Sequence, residues 1–145
     1  MAIRVIVRLT PAKPKVGEEF RLQAVAQHPN EPGTRRDAEG KLIAVVYRYD
    51  PPGGKKEFRP WDARRRKMAP PEPRPLFNQP GLAAAGNVVL VEGEKCADAL
   101  IACGIAATTA MNGARAPIDK TDWRPLAGRS VLIWPDRDAP GWDYA

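Results

Sequence analysis

One histidine and two cysteines are the whole supply of soft and imidazole ligands in 145 residues. A tetrahedral structural zinc site takes about four such ligands, so the sequence argues against zinc as a cofactor. Cys96 and Cys103 fall within one expected helix, which separates them by roughly 10 Å along its axis, beyond disulfide reach, so both are expected as free thiols. Small apolar residues suit that helix face, and packing is the expected role of both. His28, alone in a polar stretch, carries no hypothesis. No run approaches the ~18 consecutive apolar residues of a membrane span, and the N-terminus lacks the charged-then-apolar pattern of a secretory signal. No membrane partner is therefore expected, and a cytoplasmic location follows. There is no internal repeat, and no Gly-x-x-x-x-Gly-Lys loop, which excludes a helicase motor within this chain.

What the chain does have is basic charge, proline and two acidic motifs. The net charge of +6 is compatible with a polyanionic partner, a signal of modest specificity. Residues 1–68 read as β-rich. Alternating stretches at 2–9 and 18–27, separated by Pro11, Pro14 and Gly17, suggest a hairpin or two neighbouring strands. Leu42–Tyr49 and Lys56–Trp61, separated by Pro51, Pro52, Gly53 and Gly54, suggest a second hairpin. Residues 69–82, with Pro70, Pro71, Pro73, Pro75 and Pro80, read as an extended connector that is neither helix nor central strand.

Residues 83–145 have α/β rhythm. Strands are expected at Asn87–Val91, Ala106–Thr109 and Ser130–Trp134, with a helix over Glu94–Cys103 stopped by Gly104. The continuous apolar runs Val88–Val91 and Val131–Trp134 read as buried parallel strands, and each ends in acidic residues. Ligands in open α/β sheets gather beyond the carboxyl ends of such strands, so Glu92, Asp136 and Asp138 are expected in one cleft. Convergent carboxylates repel one another unless they hold a hard cation, and Mg²⁺ or Mn²⁺ is the expected metal. Gly93 lets the chain turn and a ligand approach the backbone. Glu94 in the first helical turn suits the helix dipole as readily as it suits catalysis. Lys95 can meet a phosphate as a point charge or sit on a plain helix surface. Asn112 and Gly113 make a turn signal.

Val-Glu-Gly-Glu-Lys-Cys-Ala-Asp-Ala-Leu (91–100), Thr-Ala-Met-Asn-Gly-Ala (109–114) and Trp-Pro-Asp-Arg-Asp-Ala-Pro-Gly (134–141) resemble the successive motifs of a Toprim domain. The flavour is that of primases and primase-helicases of phages and mobile elements, related to DnaG-type primases. The resemblance is strong over 87–145 and weaker over Tyr47–Leu82; residues 1–40 resemble no family. It implies a mixed α/β protein: a β-rich N-terminal part, then a Toprim-like parallel sheet with flanking helices.

It further implies the Toprim portion of a DNA primase, making RNA primers on single-stranded DNA by Mg²⁺-dependent nucleotidyl transfer from nucleoside triphosphates. A helicase module in the same or a partner chain is an implied associate. Asp136 and Asp138 would hold the metal, Glu92 would be a further ligand or general base, and the Gly113 loop would border the cleft. Cys96 stands where many Toprim domains carry an acidic residue, with Asp98 nearby as a substitute. The family continues with a helix and strand beyond the acidic pair, so an incomplete domain, inactive as a primase by itself, is the expectation. The alternatives are a Toprim-type nuclease or topoisomerase-like strand breaker, the latter requiring a tyrosine nucleophile, and a non-catalytic remnant that binds DNA or a protein.

Upstream, Arg64, Arg65, Arg66 and Lys67 lie near Phe58 and Trp61. Phosphate-neutralising charge interleaved with aromatics suits single-stranded nucleic acid, while a solvated face is the even alternative.

Overall fold

The computed structural model describes residues 8–10, 21–23, 33–49, 54–55 and 57–145. The expected N-terminal strands therefore fall mostly outside the described residues, as do Pro11, Pro14, Gly17, His28 and Pro51–Gly53. Where 2–9 and 18–27 are described they pair: β1 (Arg8–Thr10) lies antiparallel to β2 (Arg21–Gln23), with Leu9 opposite Leu22.

The chain is mixed α+β, with separate antiparallel and parallel three-stranded sheets. In the first, β4 (Leu42–Tyr49) is central between β3 (Thr34–Arg36) and β5 (Glu57–Asp62). The expected β4–β5 hairpin is present. The sequence reading had no counterpart for β3, which enters β4 through a turn at 37–41. There Asp37 Oδ1 accepts from Lys41 N at 2.8 Å, and Gly40 takes the positive φ of 85° that a side chain disfavours. Pro60 is tolerated in β5 because that strand is an edge, where a missing N–H costs no ladder bond to a further strand.

The proline-rich segment read as an extended connector also contributes to the core. Leu76 and Phe77 are fully buried, Phe77 N donates to Thr109 O (3.0 Å), and Thr108 Oγ1 donates to Phe77 O (2.6 Å). It ends in the short helix α1 (Gln79–Leu82), which contains Pro80. A first-turn proline removes only an N–H that the helix would leave unpaired, so the composition rule against helix does not reach this position.

The second sheet has the order β7–β6–β8, all parallel: β6 (Asn87–Val91) is central, β7 (Ala107–Thr108) and β8 (Ser130–Trp134) flank it. The helix α2 (Glu94–Ala102) crosses from β6 to β7 and ends at Cys103, with Gly104 at φ 79° absorbing the left-handed exit. Phe77, Val91, Ala97 and Ala107 form the core beneath it.

Two expectations are corrected here. The strand β8 is not buried: Leu132 is 59% and Trp134 58% exposed, because it is the sheet's edge and none of the described residues covers either of its faces. Cys96 and Cys103 are free thiols as expected, but both are exposed, so packing does not account for them. A last helix, α3 (Ala139–Tyr144), follows β8. No helix among the described residues is long and apolar enough to cross a membrane.

Candidate functional site

The carboxyl ends of β6, β7 and β8 open onto one cleft of about 690 Å³, which the antiparallel sheet walls from the other side through Val46, Arg48 and Phe58. The topology is the reason: three parallel strands point the same way, so the loops after them must share an edge. Glu92 follows β6, the Ala110–Gly113 loop follows β7, and Asp136 follows β8.

Glu92 is half-buried, and its Oε1 accepts from Asp136 N at 2.8 Å, which ties the loop after β8 to the loop after β6. Two glycines make the approach possible. A Cβ on Gly113, whose φ is 55°, would run into the Glu92 carbonyl oxygen; a Cβ on Gly141 would strike both the Asp136 carbonyl oxygen and the Glu92 carboxylate. Asp138 plays a different local part. Its Oδ1 accepts from Gly141 N at 2.8 Å and so caps α3, and Asp138 does not line the cleft. Among the described residues no group of three or more His, Cys, Asp or Glu side chains is arranged around a common metal position. Glu92 and Asp136 thus meet in the cleft, with Asp138 one turn away on the cap.

Gly93 is the N-cap of α2 and offers no side chain to its first turn, and Lys95 is exposed at the rim. Glu94 neither caps the helix nor turns to solvent. Its Oε2 accepts from Gly33 N (2.6 Å), and its Oε1 meets Arg35 Nη2 (2.5 Å). Arg35 is 1% exposed and lies over the Phe77 ring, 5.1 Å from its centroid. Burial, and secondarily the Glu94 charge, push the Asp98 carboxyl above the ordinary aspartate range, with Arg35 opposing. Asp98 thus belongs to the Arg35–Glu94 neighbourhood and does not line the cleft beside Glu92.

The expected nucleic-acid segment is split. Phe58 stands opposite Arg48 and Trp61 opposite Val45, so the two aromatics project from opposite faces of the sheet. Phe58, 58% exposed, lines the cleft, whereas Trp61 does not. Arg64, Arg65, Arg66 and Lys67 form an exposed turn after β5. Asp62 Oδ1 holds it by accepting from Arg64 N and Arg65 N (2.9 and 3.0 Å), and Arg66 adopts a positive φ of 54°. Arg64 pairs with Asp37 (3.4 Å) and Arg65 with Asp62 (3.6 Å), so part of the turn's charge is already met.

Sequence reading missed Arg35, Arg48, Arg115 and Gly141. Arg35 had one usable signal, the Asp-Ala-Glu-Gly turn after it, which marks a hairpin and places the Thr-Arg-Arg run on a strand. Arg48 and Arg115 reach the cleft only through sheet packing and loop path, which no local pattern encodes. Tyr47 does not line the cleft, and burial raises its phenol pKa.

Scans of protein-family models, of curated proteins and of solved structures return no match for the chain.

Proposed function

We propose that this chain is the Toprim portion of a DNA primase, acting in Mg²⁺-dependent transfer of nucleotides from nucleoside triphosphates onto a primer on single-stranded DNA. The observation that carries the reading is the junction of Glu92 and Asp136 at the carboxyl ends of neighbouring parallel strands, closed by the 2.8 Å bond between them. The motif resemblance over 87–145 supplies the chemistry, and the geometry is compatible with it.

The donor set fits magnesium. This ion keeps several waters and is usually held by one or two carboxylates plus substrate phosphates, not by an all-protein cage, so the lack of a three-ligand cluster among the described residues is consistent with it. Glu92 and Asp136 would hold the ion, with the uncommitted Oδ2 of Asp138 as a further donor. When bound, the ion supplies charge neutralisation at the phosphates and acidifies the attacking 3′-hydroxyl. The chain's own part is positional. With Oε1 engaged by the Asp136 N–H, Glu92 presents Oε2 as the atom for metal or for the hydroxyl proton. Lys95, Arg48 and Arg115 bring positive charge to the same cleft, and Phe58 offers a ring on which a base can stack.

The test is Mn²⁺ titration followed by NMR line broadening. Broadening centred on Glu92 and Asp136, and lost in an Asp136→Ala, Asp138→Ala double variant, supports the reading; broadening centred elsewhere counts against it.

A further inference from the structure

Arg35 is buried, yet its Nε and Nη1 have no hydrogen-bond partner among the described residues. A part-satisfied buried guanidinium is costly; Arg36 Nε and Arg74 Nε are also buried without partners, but Arg35 alone leaves two nitrogens open. The carboxylate that it does meet is held in an unusual way. Glu94 takes one backbone N–H, from Gly33, and one guanidinium nitrogen, from Arg35, at the first turn of the nine-residue helix α2, whose N-terminus has no side-chain cap. A backbone N–H, a guanidinium and an uncapped helix start are the donors that hold a phosphoryl group. In this cradle the anion is the chain's own carboxylate.

A carboxylate fills such a cradle incompletely. It has two oxygens and a single charge, whereas a terminal phosphoryl group has three oxygens and more charge, enough to take the donors that Glu94 uses and reach those left open on Arg35. The cradle faces the same cleft as Lys95 and Arg115.

We propose that Gly33, Arg35 and the start of α2 seat the terminal phosphoryl groups of a nucleoside triphosphate or its released pyrophosphate, and that Glu94 is a built-in competitor displaced when the anion enters. The identity of the ligand rests on the nucleotidyl-transfer reading; the cradle itself needs no metal. Glu94 thereby weakens binding of the anion and hastens its release.

The experiment is calorimetric titration of the full chain with inorganic pyrophosphate in the presence of EDTA, comparing wild type with Glu94→Gln and with the Arg35→Gln, Glu94→Gln double variant. Glu94→Gln should tighten binding about tenfold by removing the competing charge, and the double variant should lose that gain. Unchanged or weaker binding by a folded Glu94→Gln protein overturns the proposal. Should Glu94→Gln fail to fold, the wild-type chain decides through the Gly33 amide resonance. A shift on pyrophosphate addition supports the cradle, and a fixed resonance at saturation overturns it. ATP should share the gain seen with pyrophosphate, and AMP should not. A single-stranded oligonucleotide gaining as much as pyrophosphate overturns the terminal-phosphate assignment. Because every arm is free of metal, failure of Mn²⁺ binding at Glu92 and failure of the cradle are separate results.

Discussion

Gly113 and Gly141 set how closely the loops after β7 and β8 approach Glu92, and neither can carry a side chain without a collision. Gly113→Ala combines a left-handed φ with an overpacked contact, and should cost at least about 2 kcal/mol in denaturant unfolding. Asp98 yields a pH prediction whose sign follows from its raised pKa. A carboxyl that holds its proton more tightly folded than unfolded imposes no penalty below its unfolded pKa, and destabilises the fold progressively as pH rises through the folded value. Asp98→Asn should therefore raise the melting temperature at neutral pH, with the gain vanishing in acid below the ordinary aspartate range. Asp122 has the opposite sign, because its hydrogen bond from Arg124 holds its pKa down. Asp122→Asn should lower the melting temperature at neutral pH, and the deficit should close as pH falls through the folded pKa. A melting series across pH checks both, and parallel curves for wild type and the two variants would refute them.

At the scale of elements, the apolar runs were legible because continuous Val, Leu and Ile between turn signals reads as strand whatever the surroundings: β6 and β8 fall where the pattern puts them. Burial was not legible, since it depends on what a strand packs against. Leu90 in central β6 is 5% exposed and Leu132 in edge β8 is 59% exposed, from nearly the same local sequence. Leu90→Ala should cost about 2–5 kcal/mol, and Leu132→Ala should stay within about 1 kcal/mol. Equal losses in urea unfolding would show that β8 is covered in solution. What segment 69–82 packs against was not legible for a related reason. Proline content reports which backbone shapes are forbidden, and says nothing of where Leu76 and Phe77 find a core. At the candidate site, Glu92 and Asp136 were readable because strand ends and acidic residues coincide. Arg35 was not, since its role arises from a long-range ion pair with Glu94 and a ring contact with Phe77.

Two groups of basic residues are of interest at the scale of the whole molecule, the turn at 64–67 and the cleft with Arg48, Lys95 and Arg115. Under the proposed function these should contribute differently to single-stranded DNA binding. The turn is exposed and does not line the cleft, so it can neutralise backbone phosphates away from the Phe58 ring. Replacing Arg64, Arg65 and Arg66 with Ala should then flatten the salt dependence, by up to about 2 units of log K against log salt if all three meet phosphates, and by less to the extent that Asp37 and Asp62 already engage Arg64 and Arg65. Phe58→Ala should remove roughly 1–3 kcal/mol with little change of slope, because stacking releases no counterions. Trp61→Ala, on the opposite face of the sheet, should change affinity by less than Phe58→Ala. Fluorescence anisotropy with a labelled oligonucleotide across a salt series measures all three. An unchanged slope in the triple variant would make the turn a solvated face, and a larger loss from Trp61 than from Phe58 would move the stacking surface off the cleft.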